Sequence, residues 1–66
     1  MKIEIKLKEI RRENKITLNE LARITGISKT HLNDIENNLK VPSIYIMELL
    51  SRTLKVDIKD LYEMKL

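Results

Sequence analysis

No cysteine, phenylalanine or tryptophan occurs in this chain, and glycine and proline occur once each, as Gly26 and Pro42. Without cysteine there is no disulfide staple and no thiolate metal site. Tyr45 and Tyr62 are the only tyrosines, too few stacking platforms for a protein that holds single strands through its bases. An all-β fold of this size would use glycine and proline at its turns, so their scarcity points to helices joined by short links. No apolar run approaches the roughly 18 residues that a membrane span needs. The opening MKIEIKLKEIRR carries charges throughout, unlike a signal peptide, and a cytoplasmic location is expected. No internal repeat, linker or low-complexity segment interrupts the chain.

What is present is a chain of 66 residues, 42% hydrophobic and 35% charged, with net charge +3. That length makes one domain, taken as residues 1–66, with a core small enough that pairing with a second copy would help it. The positive balance weakly favours a polyanionic partner.

The first stretch reads two ways. Ile3, Ile5 and Leu7 alternate with charges as in a strand, while Ile3, Leu7 and Ile10 share the spacing of a helix face. The continuation EIRREN favours a helix from about Glu4 to Asn14, with an extended or frayed beginning. Thr17 and Glu20 form a capping box, and Leu18, Leu21, Ala22 and Thr25 define a second helix over about 17–25, stopped by Gly26. Ser28 opens a third helix, about 28–37. Leu32, Ile35, Glu36 and Leu39 fall on one side of it; Lys29, Thr30, Asn33, Asp34 and Asn37 fall on the other. After Pro42, Ser43 caps a fourth helix over about 43–54, with Met47, Leu50, Ser51 and Leu54 inward. Asp57 caps a last short helix carrying Ile58, Leu61 and Tyr62. The expectation is an all-α fold of five helices.

Two short helices flanking one glycine, with Ala22 where they cross and Ile27, Leu32 and Ile35 as anchors, make a helix-turn-helix. The stretch TLNELARITGISKTHLNDIENNLKVPS resembles the Cro/cI-repressor (Xre-like) helix-turn-helix family, and the tail IMELLSRTLKVDIKDLYE resembles that family's last two helices. The likeness spans roughly residues 4–62. Two positions depart from the family pattern. Leu18 stands where glutamine is common, so one polar DNA contact is lost or a thymine methyl is met instead. Asn38 stands where glycine is common, a mild change because asparagine tolerates the left-handed conformation.

The resemblance implies a lambda-repressor-like domain that binds double-stranded DNA as a homodimer. Lys29, Thr30, Asn33 and Asp34 would meet base edges; Thr17, Asn37, Lys40 and Lys8 would meet phosphates. Asp34 could accept from cytosine N4 and so select against other bases, or be a surface acid neutralised by a nearby cation. Arg11 would pair with the inward Glu36; otherwise Glu36 sits at the rim and Arg11 faces phosphate. Ile46, Ile58 and Tyr62 match the family's dimer contacts. The implied role is a transcriptional regulator, most simply a repressor, reading an inverted repeat. An antitoxin-like or other protein-interaction module is the alternative use of such a fold.

Other features read as structural. Lys2, Lys6, Lys8, Arg11, Arg12 and Lys15 crowd the first helix, largely a solvated face balanced by Glu4, Glu9 and Glu13. His31 reads as a partly exposed helix residue. Ser28, His31 and Asp34 lie within two turns of one helix, which leaves no pocket and no oxyanion site for a triad. No catalysis, cofactor, metal or small-molecule ligand is expected.

Overall fold

The computed structural model describes residues 2–66; of the domain expected over 1–66, Met1 lies outside the described residues. The order is β1 (Lys2–Ile5), α1 (Leu7–Glu13), α2 (Leu18–Thr25), α3 (Lys29–Glu36), α4 (Ile44–Leu54), a single 3-10 turn (Ile58–Asp60) and β2 (Tyr62–Lys65). Two expectations are corrected. The fold is not all-α, because β1 and β2 pair antiparallel with Ile3 opposite Met64 and Ile5 opposite Tyr62. The fifth helix is a three-residue 3-10 turn, and Tyr62 belongs to the strand that follows it.

Pairing with the distant end of the chain decides the ambiguous beginning. The alternation puts Ile3 and Ile5 on one sheet face with Tyr62 and Met64, as strand geometry requires. On the other side charges interlock. Lys6 lies 3.0 Å from Glu4 and 3.1 Å from Glu63, and Lys65 lies 3.2 Å from Glu4. The backbone N–H of Lys6 donates to the Leu61 carbonyl at 2.7 Å, closing the ladder where α1 begins.

The helix boundaries follow local chemistry. Thr17 and Glu20 exchange side-chain-to-backbone hydrogen bonds, both 3.1 Å, at the start of α2. Ser28 accepts from the His31 N–H at 3.1 Å and Ser43 from the Ile46 N–H at 3.2 Å. Gly26 ends α2 at φ +78, and an added Cβ there would meet nothing within 4 Å. The angle, and not a lack of space, is what favours glycine there. After α1, Lys15 takes the left-handed turn at φ +56. The Asn14 side chain donates to the Ile10 carbonyl at 2.8 Å.

One core results: Ile5, Leu7, Ile10, Leu21, Leu32, Ile35, Met47, Leu50, Leu54 and Leu61. Leu39, expected inward on the third helix, is 71% exposed. The helix ends at Glu36 and the chain turns left-handed at Asn38, so the helical period no longer governs Leu39.

Arg11 and Glu36 form the buried polar element. The Arg11 Nε donates to Glu36 Oε2 at 2.6 Å and a terminal nitrogen to Oε1 at 3.2 Å, while the other terminal nitrogen donates to the Ile16 carbonyl at 2.9 Å. The side chains are 12% and 2% exposed. Glu36 is therefore not at the rim and Arg11 is not turned towards phosphate. One guanidinium joins α1, the end of α3 and the entry to α2.

Two outcomes follow. Arg11→Ala strands a buried carboxylate and is expected to cost about 3–5 kcal/mol in urea unfolding, most of it regained in Arg11→Met/Glu36→Met. A single-variant loss below about 1 kcal/mol contradicts the strut. The second concerns pH. The hydrogen bonds from Lys6 and then Lys65 hold the Glu4 carboxyl below its ordinary range. Its contribution is present above the ordinary glutamate value and is lost as pH falls through the depressed one. Lys6 is raised, first by its bond to Glu4, so its contribution is lost only as pH rises through that raised value. The Tm gap between wild type and Glu4→Gln should close on acidification through the depressed value; a gap independent of pH contradicts this.

Candidate nucleic-acid interface

The bihelical unit is short, with eight residues in each of α2 and α3. Isolated helices of that length do not persist in water, so the unit depends on what lies beneath. Leu21, Leu32 and Ile35 are fully buried there, and Ala22 and Ile27 pack against the same core. With Leu32, Ile35 and Glu36 spent on the interior, the 3.6-residue period sends Lys29, Thr30 and Asn33 outward, and all three are exposed. Asp34 and His31 are half-buried beside them.

These side chains are largely uncommitted. Among the described residues, Lys29, Lys40, Lys8 and Asp34 take part in no ion pair. Among the described residues, then, no cation lies within ion-pair distance of Asp34. Asn37 is exposed; its side-chain amide and its backbone N–H both donate to the Asn33 carbonyl, at 2.9 and 3.0 Å, which leaves the second hydrogen of the side-chain amide as the donor it can turn to other uses. Lys40 is exposed in the link after α3, and Lys8 is half-buried on α1.

The start of α2 is the other candidate phosphate contact. Thr17 is engaged with Glu20, whose carboxyl is held below its ordinary range first by the Thr17 N–H and then by the hydroxyl. The N–H groups of Leu18 and Asn19 close no hydrogen bond outside the helix and, in its first turn, have no intrahelical acceptor. Such unpaired donors at a helix N-terminus suit an anion. Leu18 is half-buried and leans on the core.

The candidate dimer residues are brought together only in part. Ile58 and Tyr62 line one open groove of about 300 Å³, with Ile3, Ile5, Val41, Pro42, Ile44, Met47 and Met64. Ile46 is not on its wall; it is half-buried against the core. The exposed apolar residues at the start of α4 are Ile44 and Tyr45, 78% and 75% exposed. The sheet half of this face forms only once the two strands pair, which the alternation of Ile3 and Ile5 alone does not decide. Asn38 was also missed as a contact: its side chain reaches back to β1, as described below.

Among the described residues no group of histidine, cysteine or acidic side chains is placed to hold a metal ion, and no helix is long and apolar enough to cross a membrane.

Comparison with known proteins bears on this geometry. A family model described as helix-turn-helix matches residues 7–61. The chain is 38% identical over 61 residues to the HTH-type transcriptional regulator SinR of Bacillus subtilis (strain 168), covering 91% of this chain and 55% of SinR. It thus spans about half the length of that relative. The SinR of Bacillus licheniformis matches at 38% over 61 residues, with the same coverage. The SPbeta prophage-derived HTH-type transcriptional regulator YopS of Bacillus subtilis (strain 168) is 41% identical over 58 residues, covering 86% of this chain and 78% of YopS. With the matched segment running from the first residue of α1 to the residue that closes the 3-10 turn, this chain belongs to the Cro/cI-type (Xre-like) helix-turn-helix family of DNA-binding proteins.

Proposed function

We propose that this chain is a sequence-specific transcriptional regulator, acting as a repressor, that reads an inverted repeat in double-stranded DNA as a homodimer. The observation that carries the reading is the outward row of α3. Lys29, Thr30, Asn33 and Asp34 project over a buried base, three of them exposed and the two charged members in no ion pair among the described residues. Similarity to proteins named transcriptional regulators supports the same class.

In this reading α3 enters the major groove. Lys29 donates to guanine O6 and N7, Thr30 and Asn33 reach adjacent base edges, and Asp34 accepts from cytosine N4. Phosphates accept from the first turn of α2 beside Thr17, from Asn37, and from the ammonium groups of Lys40 and Lys8. Leu18 offers a thymine methyl an apolar contact in place of a hydrogen bond. The groove holding Ile58 and Tyr62, with Ile46 beneath the start of α4, is the dimer face, and two half-sites lie about one helical turn apart. Occupying promoter DNA represses transcription, and that work is done in the cytoplasm.

Selection from random duplexes tests this. An inverted repeat should be enriched, with affinity falling steeply as salt rises. Lys29→Ala should lose about 1–3 kcal/mol and relax preference at one base pair; Lys40→Ala should weaken all sequences alike and lower the salt slope by about 1. A folded protein that enriches no sequence would overturn the reading.

A further inference from the structure

We infer that Asn38 is a positioning residue: its side chain fixes the angle between the terminal sheet and α3, and thereby the half-site spacing that a dimer accepts. The inference rests on the dimeric reading above and concerns what holds its geometry.

Asn38 follows α3 with φ +60. Its N–H donates to the Ile35 carbonyl at 3.1 Å and the Leu39 N–H to the Asp34 carbonyl at 2.8 Å, the paired bonds of a Schellman ending. Glycine would satisfy that ending at less steric cost. What asparagine adds is its side-chain oxygen, which accepts from the Ile5 N–H at 2.9 Å, 33 positions away. Among the described residues this is the only hydrogen bond tying the end of α3 to the sheet.

The ladder explains why Ile5 has a free N–H. Lys6 donates to Leu61 across the strands, and antiparallel pairs alternate between bonded and non-bonded. The Ile5–Tyr62 pair is therefore non-bonded, and the Ile5 N–H points away from β2. Without Asn38 it would be an open sheet edge. With Asn38, a short path runs from Tyr62 on the proposed dimer face, across to Ile5, and through one hydrogen bond to the exit of the DNA-reading helix. In a two-fold dimer any looseness in that path is doubled between the two α3 helices. One base pair of spacing shifts a half-site by only about 3.4 Å, so a hinge here would blur the choice of spacing.

Asn38→Gly tests this in the full chain, since it keeps the left-handed backbone and removes only the acceptor. Three quantities are read: exchange of the Ile5 amide; affinity for a single half-site; and affinity for inverted repeats at the selected spacing and at one base pair more or fewer. In Asn38→Gly, Ile5 exchange should quicken and the preference for the selected spacing should fall, each about tenfold, the size of one lost hydrogen bond. Half-site affinity should stay within about twofold, since the groove-facing residues are untouched. Asn38→Asp, which keeps an acceptor and tolerates positive φ, should retain the spacing preference. Faster Ile5 exchange with an unchanged spacing preference overturns the inference, as does a loss at the single half-site equal to that at the repeat. If wild type itself shows no spacing preference, the dimeric reading has failed and the inference falls with it, an outcome visible before any variant is compared.

Discussion

A single guanidinium holds three parts of this small fold in register. Arg11 on α1 grips both oxygens of Glu36 at the end of α3 and the carbonyl of Ile16 at the approach to α2. Neither α2 nor α3 is long enough to persist alone, and their relative pose is what a groove-reading unit must present. A buried pair of this kind adds little net stability against an apolar replacement. Its directional bonds do fix orientation, because the planar guanidinium satisfies the carboxylate at two points. The Glu36 carboxylate also ends the buried side of α3, so the residues remaining on that helix must face outward.

The second constraint is size. A chain this short leaves a large share of its apolar surface uncovered, and the terminal sheet covers part of it. β1 and β2 bring both ends of the chain beside α4, closing the core over Leu61 and Ile5 while leaving Tyr62, Met64, Ile44 and Tyr45 outside. An uncovered apolar face is a usual mark of an interface. Its separation from the α3 row divides the surface into a polar side and an apolar side. Asn38 sits at the junction of the two.

Features set by neighbours in sequence were legible before the fold was known. The Thr17–Glu20 box, the Ser28 and Ser43 caps and the Gly26 stop are local to one turn, the inward stripe of α4 follows the helical period, and the residue types alone announce them. The polar row of α3 was legible for the same reason, since the helical period separates it from Leu32 and Ile35. What escaped depends on partners far along the chain. Residues 2–5 carry both periods, and only pairing with residues 62–65 selects the strand. In the tail, Ile58, Leu61 and Tyr62 share a helical spacing, yet the turn ends after three residues. Leu39 keeps the helical spacing, but the helix has already ended. The Asn38 bond to Ile5 has no local signature, and at the start of α4 Ile44 and Tyr45 lie outside while Ile46 is half-buried against the core.

The central claim is that α3, held by the Arg11 strut, is the element that reads DNA. Its most direct test is an amide chemical-shift titration of the protein with its selected duplex. The account predicts the largest changes at Thr17–Asn19, Ser28–Asp34, Asn37 and Lys40, with the α4 core strip of Leu50 and Leu54 nearly still. Changes confined to the sheet and the groove around Ile58, with the α3 amides unmoved, would contradict it.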